Sequence, residues 1–229
     1  MEYGLIGEHL GHSFSKVIHN MLGDYSYELK ELRPEEVPGF ISSKCFRAIN
    51  VTIPYKETVI PFLDVIDEPA RLIGAVNTIV NRDGKLYGYN TDFYGMKMLF
   101  EKNGIELTGK TVAILGSGGT SKTARAVAAA SGAVKIYQVS RRACGNMISY
   151  EQLEAIRDRI EVIVNTTPVG MYLNVQGMPV DPARYPNLTG VIDAIYNPLS
   201  TELIRKARGY GIPAEGGLYM LVAQAVRAA

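Results

Sequence analysis

Between Lys110 and Ala130 the chain reads K-T-V-A-I-L-G-S-G-G-T-S-K-T-A-R-A-V-A-A-A, an apolar strand, a glycine cluster and an alanine-rich helix in direct succession. Gly116 permits a tight turn out of the strand and Gly118 lets the backbone approach a pyrophosphate. The helix that follows points its unpaired N–H groups and positive dipole end at that anion. The pattern is a cradle for a dinucleotide cofactor. Ser121 stands where the G-x-G-x-x-G fingerprint has its third glycine, and a glycine pair between strand and helix occurs in many folds, so context has to decide.

The next strand supplies that context. Val134 to Val139 ends in Ser140, Arg141 and Arg142, with Ser140 twenty-two positions after Gly118, where a dinucleotide fold contacts the ribose. A carboxylate at this corner binds the 2′-hydroxyl of NAD. Arginine suits a 2′-phosphate through charge-assisted, often bidentate hydrogen bonds. The register with the glycines favours NADP over the alternative of a solvated turn.

Composition excludes several other classes. The 229 residues are 47% hydrophobic and carry 24 basic and 23 acidic side chains without long runs, a globular balance with nothing that announces nucleic acid or an anionic membrane. No apolar run approaches the ~20 residues that span a bilayer, and the chain opens directly on a strand, so the expected compartment is the cytoplasm. Cys45 and Cys144 form no C-x-x-C unit. His9, His12 and His19 have no carboxylate or cysteine cluster beside them, and no metal site is expected.

Strand and helix patterns alternate from the first residue. Tyr3–Gly7, a helix from Lys16 to Leu22, Tyr25–Glu31, a helix near Glu35–Ile41 and Ala48–Val51 make a βαβαβ rhythm, hence an α/β fold. Ala75–Val80 and Lys85–Tyr89 flank Asn81-Arg82-Asp83-Gly84, a hairpin-turn signal. A helix from Asp92 to about Asn103 leads to the cofactor strand. Glu161–Val164 and Gly190–Ile195 then end in Asn165-Thr166-Thr167-Pro168 and Tyr196-Asn197-Pro198, polar segments past strand ends, where open parallel sheets bind ligands. A last helix covers Leu218 to Ala228. The expected organisation is an N-terminal α/β domain over residues 1–91, completed by 217–229, and a Rossmann-like domain with a parallel sheet over 92–216.

Oxidoreduction of an alcohol by a nicotinamide needs a group that handles the hydroxyl proton. In the first domain N-V-T-I-P-Y-K delivers Lys56 just past a strand, and Asn90-Thr91-Asp92 ends the hairpin with an acid at a helix start. Singly, Lys56 also reads as a surface lysine and Asp92 as an N-cap. Ser13 and Ser15 lie between a strand and a helix, where hydroxyls and N–H groups hold a carboxylate or simply cap the helix.

Taken together, G-H-S-F-S, N-V-T-I-P-Y-K, G-A-V-N-T, N-T-D-F-Y-G, G-S-G-G, S-R-R, N-T-T-P-V-G-M, D-A-I-Y-N-P and G-L-Y-M-L-V-A-Q-A resemble, in this order, the shikimate dehydrogenase family from about Tyr3 to Ala225. The resemblance implies reversible NADPH-dependent reduction of 3-dehydroshikimate to shikimate, on the route to chorismate and the aromatic amino acids. It implies Lys56 and Asp92 as the catalytic pair. Ser13 and Ser15 become contacts of the substrate carboxylate, and Asn50, Thr52, Asn77, Asp92 and Gln224 surround its hydroxyls. On the cofactor side it assigns Gly116, Ser117, Gly118, Gly119 and Thr120 to the phosphates and Ser140, Arg141 and Arg142 to the adenosine end. Thr166, Pro168, Val169 and Met171 fall at the nicotinamide, with Gly217 nearby. The partner is a small molecule, and the oligomeric state is left open between monomer and homodimer.

Two departures stand out. Lys16 replaces the proline usual after the second serine, adding positive charge beside the carboxylate contacts. The final helix is expected to be short and frayed and to hold Gln224 loosely. Two alternatives are kept open: a quinate/shikimate dehydrogenase of relaxed or NAD specificity, and a non-catalytic ligand-binding paralogue.

Overall fold

The computed structural model describes residues 1–11 and 13–229, and His12 lies outside the described residues. The chain divides into two compact units, Met1–Tyr94 with Val222–Ala229, and Gly95–Leu221.

In chain order the first unit contains β1 (Tyr3–Gly7), α1 (Ser15–Leu22), β2 (Tyr27–Glu31), α2 (Val37–Ser43), β3 (Ala48–Val51), β4 (Val65–Ile66), α3 (Glu68–Ile73), β5 (Thr78–Arg82) and β6 (Lys85–Tyr89). They form a mixed sheet in the order β2-β1-β3-β5-β6-β4. β1 pairs in parallel with β2 and β3, whereas β5 is antiparallel to both β3 and β6. The β5–β6 turn places Asp83 at φ 53° and Gly84 at φ 81°, the two positive angles a tight primed hairpin turn requires. Ile6, Val37, Ile41, Ile49, Ile79 and Leu86 form the buried core of this unit.

This topology gathers four chain segments at one edge of the sheet. The carboxyl ends of β1, β3 and β6 lie there with the amino end of β5, since Asn50 pairs with Thr78 and Thr78 with Tyr89. The region expected as strand from Ala75 joins the ladder only at Thr78. Its first residues bind elsewhere, Val76 N–H to Lys56 O at 2.8 Å and Asn77 N–H to Tyr89 O at 3.0 Å, and so tie the Lys56 turn to the sheet. The expected helix at Glu35 begins at Val37, because Arg33 to Glu36 closes as a capped 3₁₀ turn with Arg33 N–H on Glu36 Oε2 at 2.7 Å.

The helix α4 (Thr91–Lys102) contains the division between the units. Beyond it come β7 (Thr111–Leu115), α5 (Gly119–Ala130), β8 (Lys135–Val139), α6 (Tyr150–Ala155), β9 (Val162–Asn165), β10 (Gly190–Asp193), α7 (Glu202–Gly209), β11 (Ala214–Glu215) and α8 (Leu218–Ala228). The five strands make an all-parallel sheet in the order β11-β10-β9-β7-β8. The chain leaves β7 for β8 on one side and returns to β9 on the other, so the sheet has its topological switch point between β7 and β9, where doubly wound folds bind ligands. Both strands are buried, as apolar runs in the middle of a parallel sheet must be. The fold is α/β with a Rossmann-like second unit.

Candidate functional site

In the first unit the chemistry collects at the shared sheet edge. The turn after β3 presents Lys56, and α4 opens beside it. Asn90 takes the capping role: its Oδ1 accepts from Phe93 N–H at 3.2 Å while its Nδ2 donates to Ala75 O at 2.9 Å. Asp92 is thereby one residue inside the helix, not its cap, and its carboxylate is available. Lys56 Nζ donates to Asp92 Oδ2 at 2.6 Å, with the two side chains 28% and 19% exposed. This is a charge-assisted contact at the rim of the sheet, reachable from solvent.

Behind that pair lies a buried amide and hydroxyl network. Asn50 Nδ2 donates to Thr78 Oγ1 at 3.0 Å and to Asn77 O at 3.3 Å, and Asn50 Oδ1 accepts from the Tyr27 hydroxyl at 2.7 Å. Asn77 Oδ1 accepts from Thr91 N–H at 2.8 Å, and Asn77 Nδ2 donates to Thr91 Oγ1 at 3.1 Å. Gln224 joins it from α8, with Oε1 3.4 Å from the Thr91 hydroxyl. α8 is helical through Ala228, Ala225 is fully buried, and the Arg227 guanidinium lies 5.4 Å from the Tyr94 ring centre. The helix carrying Gln224 has the bounds expected for it, and its small-residue face, Ala223 and Ala225, is packed away.

Thr52 follows β3, with its N–H on Ile6 O at 2.9 Å. Its γ-methyl would be 2.6 Å from a Cβ on Gly7, so the glycine lets these neighbouring strand ends approach. Ser13 and Ser15 lie where the β1 loop enters α1. Ser13 Oγ accepts from Ser15 N–H at 3.2 Å, a local turn at the helix start, and α1 has no acidic residue in its first turn, so its positive end is unopposed by side-chain charge there. Lys16 is exposed on that turn.

In the second unit the loop from β7 to α5 has the form of an anion cradle. Gly116 sits at φ 116°, and a Cβ on it would be 2.6 Å from Thr166 Oγ1, so both backbone and packing require glycine. Gly118 and Gly119 differ. Neither has a positive φ, and a Cβ on either meets nothing within 4 Å, so nothing in the protein's own packing requires a glycine there. Open space at a helix N-terminus next to Ser117 and Thr120 fits a dinucleotide phosphate. Ser121, at the third glycine position, is fully buried, and its hydroxyl donates to Gly118 O at 2.6 Å and receives Gln138 Nε2 at 3.1 Å. A small hydroxyl thus substitutes for close helix–strand packing by bonding the turn itself.

β8 lies beside β7, which puts Ser140, Arg141 and Arg142 at the same carboxyl edge of the sheet. Ser140 Oγ accepts from Arg142 N–H at 3.2 Å, and both arginines are exposed. At the end of β9, Thr166 Oγ1 donates to Leu115 O at 2.6 Å, and Pro168, Val169 and Met171 lie exposed beyond it. Gly217 has a packing role of its own. A Cβ there would overlap the Ala194 carbonyl oxygen, and its N–H bonds Ile195 O at 2.8 Å.

Several participants were not anticipated. Thr78 and Thr91 each adjoin an assigned asparagine or aspartate within a quoted motif. Tyr27 is marked only as an aromatic hydroxyl in a strand whose other residues are Leu29 and three charged side chains. Asp193, fully buried, accepts from Asn165 Nδ2 at 3.0 Å, Ile195 N–H at 3.1 Å and Thr201 Oγ1 at 2.7 Å. Asn165 Oδ1 in turn takes Thr167 N–H at 3.0 Å and its hydroxyl at 2.7 Å, shaping the turn that presents Thr166 and Pro168. Burial raises the Asp193 carboxyl to about 6. Among the described residues no three His, Cys, Asp or Glu side chains form a metal-ligating group, and no helix is long and apolar enough to cross a membrane.

Comparison with known proteins gives a consistent result. The model of the shikimate dehydrogenase substrate binding domain matches residues 5–79. A shikimate dehydrogenase (NADP(+)) of Clostridium beijerinckii is 39% identical over 99% of this chain and 89% of its own. The crystal structure of shikimate dehydrogenase 1 from Peptoclostridium difficile is 39% identical with a TM-score of 0.83, covering all of this chain and 90% of the other. The shikimate 5-dehydrogenase of Thermus thermophilus, solved with NADP(H) and shikimate, is 28% identical with a TM-score of 0.87, covering 100% and 91%.

Proposed function

The chain belongs to the shikimate dehydrogenase family, and we infer that it is an NADP-dependent oxidoreductase interconverting 3-dehydroshikimate and shikimate in the shikimate pathway. The observation that supports the residue roles is the 2.6 Å contact of Lys56 with Asp92 at the same sheet edge as the Asn50–Asn77 network. The first unit takes the substrate and the second the cofactor. Ser13 and Ser15, with the amino end of α1, meet the substrate carboxylate, and Asn50, Thr52, Asn77, Asp92 and Gln224 meet its hydroxyls. Amides already committed to fixed partners select strongly, because an analogue lacking a hydroxyl leaves a buried group unpaired.

Gly116 to Thr120 hold the cofactor's phosphates, Ser140, Arg141 and Arg142 the adenosine end with its 2′-phosphate, and Thr166, Pro168, Val169 and Met171 the nicotinamide, with Gly217 placing the adjoining chain. When bound, NADP supplies the hydride acceptor, and in its reduced form the hydride donor. In the direction of reduction the Lys56 ammonium gives its proton to the carbonyl oxygen as that oxygen becomes a hydroxyl. In the oxidative direction Lys56 takes the proton back. Asp92 holds Nζ in place for both.

Loss of NADPH absorbance with purified protein and 3-dehydroshikimate tests the reading. The intact chain should consume NADPH in preference to NADH. Lys56→Ala should lower kcat by about 10²–10⁴-fold, with KM for the substrate changed only a few-fold. Near-normal turnover of that variant removes Lys56 from the role. A folded protein that binds shikimate without turnover would point to the non-catalytic reading.

A further inference from the structure

Tyr27 is the one buried residue of β2, 3% exposed beside four exposed neighbours. By register it faces Tyr3 on β1 and, beyond that, Ala48 on β3, so it shares a sheet face with Asn50 two positions further along. Its ring is clamped. His19 of α1 stacks on it at 4.0 Å and 10°, and Leu5 and Leu10 pack in the same cluster. Packing alone would be satisfied by phenylalanine. The hydroxyl instead crosses β1 to donate to Asn50 Oδ1 at 2.7 Å.

That bond settles what Asn50 has left to offer. A carboxamide has two N–H donors and two acceptor lone pairs. Both donors of Asn50 go to the protein, to Thr78 Oγ1 at 3.0 Å and Asn77 O at 3.3 Å, and one lone pair goes to Tyr27. A single acceptor site remains. We propose that Tyr27 is a positioning residue that pins the Asn50 carboxamide with its nitrogen turned into the protein, so that Asn50 meets the substrate only as an acceptor of a hydroxyl proton. This rests on the reading above that Asn50 contacts a substrate hydroxyl. The neighbouring Asn77 has the opposite balance: its Oδ1 receives Thr91 N–H, Nδ2 spends one donor on Thr91 Oγ1, and one N–H is left. The two amides present one acceptor and one donor.

The test is Tyr27→Phe in the full chain, assayed as oxidation of shikimate by NADP. KM for shikimate should rise about 10-fold, the loss of roughly one hydrogen bond's orientation, while kcat stays within about threefold and KM for NADP is unchanged. In an Asn50→Ala background the same change should raise KM no further. Tyr25→Phe, which removes only the 2.7 Å partner of His19 Nδ1, should leave KM as it is. A structural role for Tyr27 predicts additive effects with Asn50→Ala, or an equal effect of Tyr25→Phe, and either result overturns the proposal.

A second measurement separates Asn50 from the Asp92 carboxylate, which also accepts. Shikimate analogues in which each ring hydroxyl is replaced in turn by fluorine keep the shape but cannot donate. One of them should bind the unaltered protein at least 10-fold more weakly than shikimate but bind Asn50→Ala about as well as shikimate does, and a penalty at every position that survives Asn50→Ala, or equal binding by all, overturns the inference. An unaltered chain that neither binds nor oxidises shikimate removes the underlying reading and this inference with it. An active chain with an indifferent Tyr27→Phe removes this inference alone.

Discussion

At Gly217 an added methyl group would overlap the Ala194 carbonyl, whereas at Gly118 it would meet nothing within 4 Å. Neither position has a positive φ, so the contrast is one of space and not of backbone strain. Gly217→Ala should therefore lower stability by about 1–3 kcal/mol through displaced backbone. Gly118→Ala, at the N-cap of α5 where alanine is somewhat worse than glycine, should cost under about 1 kcal/mol yet weaken NADP binding, as the phosphate contact proposed for it requires. Thermal denaturation and a cofactor titration on both variants separate the cases. An equal loss of stability at both would remove the argument that Gly118 serves a ligand. The same distinction governs what single residues reveal in a sequence. Lys56 and Asp92 are visible as a lysine after a strand and an acid at a helix start, but which residue of Asn90-Thr91-Asp92 caps α4 depends on the helix beginning one residue earlier. Once Asn90 takes the cap, Asp92 is released to Lys56. The Tyr27–Asn50 bond, which joins residues 23 apart across an intervening strand, leaves no local signature at all.

The elements legible from sequence are those whose burial is written as a continuous apolar run or whose turn is chemically unusual. β1, β3, β6 and α8 have the expected bounds, and the Asp83-Gly84 turn is as its residues require. α3 and α6 are six residues long, too short to show a convincing period, and these two and the eight-residue α7 each begin at a capping side chain: Asp67, Ser149 and Thr201. Thr201 does two tasks with one hydroxyl. Its Oγ1 accepts from Ile204 N–H at 3.4 Å to start α7 and donates to Asp193 Oδ2 at 2.7 Å. Thr201→Val keeps the shape and removes both, leaving a buried carboxylate one donor short. It should reduce stability by about 2–4 kcal/mol, whereas Thr201→Ser should cost under about 1 kcal/mol. Urea denaturation measures this. A valine variant as stable as the serine variant would show that the hydroxyl contributes neither cap nor donor.

At the scale of the whole chain, each unit holds a buried group whose titration the fold moves within the acidic range, and the two respond to pH in opposite directions. His19, 3% exposed in the first unit, is lowered from 6.5 to about 4 by burial. Between those values the unfolded chain binds its proton and the folded one does not, so the stability of the first unit should increase as pH rises from about 4 to 6.5. Asp193 in the second unit is raised from 3.8 to about 6, burial outweighing its hydrogen bonds from Thr201, Ile195 and Asn165. There the folded state holds the extra proton. Its contribution is complete below about pH 4 and is lost as pH rises to 6. Each group is worth up to about 3 kcal/mol, since a tenfold change in proton affinity corresponds to about 1.4 kcal/mol, so a chain unfolding in one step would show the two slopes nearly cancelled. Variants separate them. Relative to His19→Gln, the unaltered protein should gain thermal stability from pH 4 to 6.5. Relative to Asp193→Asn, it should lose stability from pH 4 to 6 and then remain level. Scanning calorimetry across this range gives both differences. If the units melt separately, the two midpoints should move in opposite directions in the unaltered protein itself. Difference profiles that run flat would mean that neither group is held from its ordinary titration by the fold.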